Sequence, residues 1–282
     1  MAAAHGIGAA PFVTPAELEP HLDEVVLADV RWSLDGSQGR QQHLEATLPG
    51  AVYVALDTDL SGPPTAAGGR HPLPAPAAFA TTLGRLGITE DDVVVAFDHG
   101  PGRGPARMVW MLRSLGQRAA VLDGGLHAWA GRTAPGGASR PATTPAVRPW
   151  PEDRLVDTDE VLQRVSSGTG SVLLDARSTD RFAGAVPEPD GAVGGHLPGA
   201  RSAPADDHLD GERLRAPEEL RARYAELGAM DAAEVIAYCG SGVAACSDLL
   251  VLEQLGVSGR LYPGSWSAWS ADPSRPKATG KG

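Results

Sequence analysis

The chain has 282 residues, with 24 Lys and Arg against 35 Asp and Glu for a formal charge of −11, and 42% hydrophobic and 21% charged residues. That length accommodates one large or two modest domains with a proper core, and the composition is that of a globular protein and not a disordered one. Two cysteines, Cys239 and Cys246, exclude a disulfide-rich scaffold and a four-thiolate zinc site, no apolar run approaches the ~20 residues of a membrane helix, and the acidic balance argues against nucleic acid as a partner. The N-terminal Met-Ala-Ala-Ala-His-Gly lacks the basic patch and apolar stretch of a signal peptide, so a cytoplasmic protein is expected.

In chain order, Thr14-Pro-Ala-Glu opens a helix with a capping residue, a proline at the first helical position and an early acid. Val25–Val30 is a strand-length apolar run, and Pro76–Leu86 is a helix closed by Gly87. Val93–Phe97 is continuously apolar and β-branched, as in a strand buried on both faces of a parallel sheet. A helix over Ala106–Leu115 and a short strand over Ala119–Leu122 follow. The second half repeats the order: strand Val172–Asp175, helix Pro217–Leu227, strand Val235–Tyr238, helix Ala244–Leu255.

The repetition extends to particular residues. Asp29-Val-Arg31 matches Asp175-Ala-Arg177, Leu48-Pro-Gly-Ala matches Leu197-Pro-Gly-Ala, Asp98 matches Cys239, and Gly124-Gly matches Gly264-Ser, at offsets of 146, 149, 141 and 140. Four matches in the same order indicate a duplicated domain. The segment between the copies is rich in proline, glycine and small polar residues and reads as a linker. The expected organisation is a domain over 1–131, a linker over 132–151 and a second domain over 152–282. Strands alternating with helices predict an α/β fold, each domain a mainly parallel sheet covered by helices on both faces.

Ligands bind beyond the carboxyl ends of strands in such sheets. The strand ending at Tyr238 runs directly into Cys239-Gly-Ser-Gly-Val-Ala-Ala-Cys246 and then into a helix. Glycines let such a loop curl with its N–H groups inward, and the helix N-terminus adds partial positive charge; both favour a thiolate. A free cysteine is often plain core, which is the expectation for Cys246. At Cys239 the strand end and the glycines favour a nucleophile. His99 and His127 have no partners at metal-ligand spacing, so no metal site and no cofactor are expected.

This loop resembles the active-site loop of two-domain rhodanese-type sulfurtransferases, most nearly the Cys-Gly-Ser-Gly-Val-Thr-Ala of the mercaptopyruvate branch. The Arg181-Phe-Ala-Gly, Pro187-Glu-Pro, Gly195-His-Leu-Pro-Gly-Ala and Tyr262-Pro-Gly-Ser-Trp stretches resemble further family segments, so the likeness covers nearly the whole chain. It implies two tandem rhodanese-like domains with the nucleophile, Cys239, in the second alone. It further implies that Cys239 carries a persulfide, with Gly240, Ser241, Gly242, Val243 and Ala244 holding the anionic donor and Arg181 binding it. Ser241 would work with Asp57 and His71 of the first half. The implied partners are a small sulfur donor and a thiol acceptor such as thioredoxin or a low-molecular-weight thiol, with cyanide as an acceptor in vitro.

The sequence departs from the family at several points. Ala244 replaces a threonine, Pro263 an aspartate and Thr47 a histidine. Asp190 stands where the mercaptopyruvate branch often carries an arginine for the donor carboxylate. Gly240 and Ser241 replace the Arg-Lys pair that the thiosulfate branch places after its cysteine, so 3-mercaptopyruvate is the expected donor and thiosulfate the alternative. No arginine follows Cys239 within the loop, which argues against a Cys-x5-Arg phosphatase. Ser241 is not in a Gly-x-Ser-x-Gly elbow, which argues against a serine hydrolase. A relay that takes persulfide from a protein partner fits the same nucleophile.

Overall fold

The computed structural model describes residues 6–32, 38–168, 170–189 and 191–281. The N-terminal five residues and Asp190 lie outside the described residues. The chain divides into two compact units: 1–62, 74–150 and 211–214 form the first, and 63–73, 151–210 and 215–282 the second.

The first unit contains β1 (Phe12–Val13), α1 (Pro15–Leu18), β2 (Val26–Asp29), α2 (Gly39–Glu45), β3 (Val52–Tyr53), α3 (Leu56–Asp59), α4 (Pro76–Arg85), β4 (Val94–Phe97), α5 (Arg103–Ser114) and β5 (Ala119–Leu122). Its strands form one sheet in the order β1-β5-β4-β2-β3, every pair parallel. α1 opens on the expected Thr14, whose side chain accepts from the Glu17 N–H while Glu17 reaches back in a capping box. α5 starts three residues earlier than the apolar spacing indicates, because Gly102 turns the chain in at φ 71° and Pro105 fits the first helical turn. β2 and β4 are buried at every position, which accounts for the apolar runs at 26–28 and 94–97.

The later elements are α6 (Thr158–Ser167), β6 (Ser171–Asp175), α7 (Thr179–Ala183), β7 (Arg201–Ser202), β8 (Leu209–Asp210), β9 (Arg213–Leu214), α8 (Pro217–Glu226), β10 (Glu234–Tyr238), α9 (Ala245–Gln254), β11 (Arg260–Leu261) and α10 (Ser265–Ala271). All belong to the second unit except β9, which belongs to the first. The main sheet of the second unit runs β11-β10-β6-β7, again all parallel. Its core gathers Val161, Leu173, Phe182, Ile236, Tyr238, Trp266 and Trp269. Trp266 and Trp269 are fully buried, each satisfying its indole N–H on a backbone carbonyl, of Val193 and Pro276 respectively, at 2.8 Å.

Residues 132–150 form no helix or named strand, yet they are fixed along the first unit. The Thr143 N–H donates to Gly84 O and Arg140 Nε to Gly87 O, both at 3.0 Å. A side chain on Gly84 would meet Thr143 O at 2.6 Å, and one on Gly87 would meet Arg140 Cβ at 2.4 Å, so these two glycines let the strap lie close. Residues 63–73, which precede the strap in the first repeat, belong to the second unit.

The duplication holds at the level of single hydrogen bonds. Val54 N–H donates to Asp29 O as Ala203 N–H does to Asp175 O, each at 2.9 Å. Leu126 N–H donates to Asp98 O as Trp266 N–H does to Cys239 O, also at 2.9 Å.

Candidate active site

β10 delivers Cys239 to the carboxyl edge of the second sheet. The residue is 3% exposed, and its Sγ accepts the Gly242 N–H at 3.1 Å. Gly242 makes that bond with φ 76°, a backbone region that favours glycine. α9 then begins at Ala245 with no side-chain cap. Among the described residues the backbone N–H groups of Gly240, Ser241, Val243 and Ala244 have no acceptor. Uncapped helix N–H groups and a curled loop form an anion-binding arrangement. Cys246 lies fully buried on the first turn of α9, its Sγ 3.4 Å from Gly242 O.

Ser241 is 6% exposed, and its Oγ lies 2.7 Å from His71 Nδ1. His71 sits in residues 63–73, so this pair lies within the second unit. Asp57 lies on α3 of the first unit, where its Oδ1 accepts the Trp32 indole N–H at 3.0 Å. Arg181 lies on α7, which leaves the carboxyl end of β6. Its carbonyl accepts the Gly184 and Gly195 N–H groups, and among the described residues its guanidinium has no partner.

A buried ion cluster braces the loop. Arg177 pairs with Asp175 through Nε at 2.9 Å and Nη2 at 2.5 Å, reaches Gly195 O at 2.6 Å and Glu188 Oε1 at 2.7 Å, and lies 4.7 Å from the Trp266 ring. Burial opposes its charge, but the Asp175 carboxylate holds its pKa above the ordinary arginine value. The carboxylates thus fix the guanidinium instead of leaving it to a ligand.

Ser265 is a participant that sequence patterns alone did not single out. It is the one non-glycine residue among those described with positive φ, at 52°, and it is fully buried. Its Oγ accepts the Cys239 N–H at 3.1 Å and donates to Tyr262 O at 2.9 Å. The signal was available in the repeat: Ser265 matches Gly125, which also has φ 52°. Strain of this kind persists where surrounding structure over-determines it, often at functional sites.

The first unit holds a carboxylate where the second holds the thiol. Asp98 ends β4, and the N–H groups of Gly100 and Gly102 donate to it at 2.9 and 3.1 Å. Burial pushes its pKa up to about 6, while those two amides pull it down. The loop's own side chain therefore fills the amide pocket that the second unit leaves open. Thr47, in place of the histidine, donates to Asp29 Oδ2 at 2.6 Å; its counterpart His196 stacks on Phe182 at 3.7 Å and bonds the Phe182 carbonyl. Among the described residues, no cluster of three or more His, Cys, Asp or Glu could hold a metal ion, and no helix is long and apolar enough to cross a membrane.

Comparison with known proteins agrees with both units. The Rhodanese-like domain family matches residues 14–132 and 157–272. A Pseudomonas aeruginosa protein named as a probable 3-mercaptopyruvate sulfurtransferase is 42% identical over 97% of this chain and 100% of its own length. A Mycobacterium tuberculosis protein named as a putative thiosulfate sulfurtransferase is 39% identical over 95% of this chain and 96% of its own. Among solved structures, the 3-mercaptopyruvate sulfurtransferase of Leishmania major superposes with a TM-score of 0.81 at 33% identity, over 92% of this chain and 73% of that one. Two Rhodanese-like domains in one chain, matched nearly end to end by sulfurtransferases at 42% and 39% identity, make this protein a member of the two-domain rhodanese-type sulfurtransferase enzymes.

Proposed function

We propose that the enzyme moves a sulfane sulfur from 3-mercaptopyruvate to a thiol through a Cys239 persulfide. The observation that carries this reading is the Cys239 thiol beside the bonded Ser241–His71 pair, in a loop where the N–H groups of Gly240, Ser241, Val243 and Ala244 have no acceptor among the described residues. The Cys239 thiolate attacks the sulfur of the donor. The donor's C–S bond breaks, its electron pair passes to carbon, and pyruvate leaves as its enolate. Ser241, with His71 at its Oγ, supplies the proton that turns the enolate into pyruvate. Cys239 is left as a persulfide, its charge held by the amides of Gly240 to Ala244, and Arg181 binds the donor. An acceptor thiolate, such as thioredoxin or a low-molecular-weight thiol, then attacks the outer sulfur and releases the Cys239 thiolate. Covalent catalysis in two halves gives ping-pong kinetics.

The names of the relatives divide between mercaptopyruvate and thiosulfate. The loop here carries Gly240 and Ser241 and no cation, which favours mercaptopyruvate. Turnover with both donors, wild type against Cys239→Ser and Ser241→Ala, tests the reading. Cys239→Ser is expected to be inactive, with mercaptopyruvate the better donor by kcat/KM. Ser241→Ala should lose about 10²-fold or more with mercaptopyruvate and much less with thiosulfate, whose sulfite leaving group needs no carbon protonated. Equal losses with both donors would remove the relay, and a wild type that prefers thiosulfate would replace the donor. A chain that turns over neither small molecule but takes persulfide from a protein is the relay module.

A further inference from the structure

The Cys239 loop carries no cationic side chain, yet a guanidinium lies against it. Arg70 belongs to the second unit. Its N–H donates to Ser267 Oγ at 3.0 Å, and the adjoining His71 bonds Ser241. Gly69 permits this approach: a Cβ there would meet Gly264 O and Ser267 Oγ at 2.5 Å. The Arg70 Nη2 atom lies 3.2 Å from the point a Cβ on Gly240 would occupy, and Glu188 Oε2 lies 3.3 Å from the same point. Glu188 is 4% exposed; its Oε1 takes the Arg177 ion pair, while Oε2 is buried with no hydrogen-bond partner among the described residues. A buried, unsatisfied carboxylate oxygen is costly, and its position beside the nucleophile's neighbour calls for a functional account.

We propose that Arg70 and Glu188 form a charge filter over Gly240, in which Arg70 binds the carboxylate of a monoanionic sulfur donor and Glu188 Oε2 repels a dianion. The inference rests on the reading of Cys239 as the sulfur-accepting nucleophile. A guanidinium fork matches a carboxylate in geometry and charge. A donor with a second full negative charge meets like-charge repulsion from Glu188 in a poorly solvated place. Gly240, having no side chain, lets both groups come this close to the loop. Donor selection then resides in a residue of the 63–73 segment and in the Pro-Glu-Pro stretch.

The test is steady-state kinetics of the full chain with 3-mercaptopyruvate and with thiosulfate, for wild type, Arg70→Ala, Arg70→Lys and Glu188→Gln. The rate at which neutral methyl methanethiosulfonate modifies Cys239 is measured alongside. Arg70→Ala is expected to raise the mercaptopyruvate KM about 10- to 100-fold with a smaller change in kcat, as loss of a charge-assisted bond implies. Arg70→Lys should recover part of that loss, and the neutral reagent should react at the wild-type rate in both variants. Glu188→Gln should raise the ratio of kcat/KM for thiosulfate to kcat/KM for mercaptopyruvate about tenfold. An unchanged KM in Arg70→Ala, an equal loss of reactivity toward the neutral reagent, or an unmoved donor ratio in Glu188→Gln overturns the filter. If Cys239→Ser keeps wild-type turnover, the nucleophile reading itself fails; if Cys239 is essential and the ratios do not move, the filter alone fails.

Discussion

Replacing Asp98 by asparagine should stabilise the protein, by an amount that depends on pH. The carboxyl titrates at about 6 in the folded chain against an ordinary 3.8, chiefly because it is removed from water. A folded pKa above the unfolded one means that the folded state binds the proton more tightly. Holding Asp98 charged therefore costs stability above pH 6, and the cost fades as pH falls through 6 toward 3.8. A shift of this size corresponds to about 3 kcal/mol at the top of the window. The Asp98→Asn side chain would keep an oxygen for the Gly100 and Gly102 N–H groups, both of which bond Oδ1 in the wild type, and would carry no charge. Urea unfolding of both proteins, followed by a probe of the first unit, should find the variant more stable by about 2–3 kcal/mol near pH 7.5 and by about 1 kcal/mol near pH 4.5. A difference that is the same at both pH values, or that grows on acidification, would refute the reasoning, since an asparagine acting only through packing has no reason to follow a titration.

Three further outcomes follow from the second unit. Ser265→Ala removes the acceptor of the Cys239 N–H while keeping the strained φ, and should lower kcat and cost about 1–3 kcal/mol of stability; Ser265→Gly loses the same bond but relieves the backbone, so it should unfold at about 1 kcal/mol higher stability than Ser265→Ala. Arg177→Met leaves Asp175 and Glu188 as uncompensated buried charges and should cost about 3–5 kcal/mol in urea unfolding, with only partial rescue by Arg177→Lys, which restores the charge but not the spread, planar fork that reaches Asp175, Glu188 and Gly195 together. Gly242→Ala forces a side chain into φ 76° at the amide that donates to Cys239 Sγ; it should slow alkylation of Cys239 by iodoacetamide and cost about 1–2 kcal/mol.

Much of this enzyme is written in local sequence. The buried strands are legible because a parallel strand covered on both faces must be apolar throughout, as Val94–Phe97 and Glu234–Tyr238 nearly are. The duplication is legible because two copies of one fold must repeat their strand-end pairs, Asp29 with Arg31 and Asp175 with Arg177. The loop at Cys239 is legible because its turn at Gly242 needs a backbone angle that glycine adopts without strain. The repeat also pairs Ser265 with Gly125, but only the backbone angle of 52° reveals why that position matters.

What the sequence could not decide is which distant residues meet. Sequence order puts Arg70 and His71 in the first repeat, whereas packing assigns residues 63–73 to the second unit, with His71 at Ser241 and Arg70 beside Gly240. Glu188 reads as part of a proline-flanked motif. Its Oε2, without a hydrogen-bond partner among the described residues, comes to lie beside Gly240 only once α7, β6 and β10 have packed around Arg177. Periodicity and turn chemistry act over a few residues and so leave a trace in the string. The contact between His71 and Ser241, 170 positions apart, arises from the free energy of the whole packed unit, and no local pattern records it.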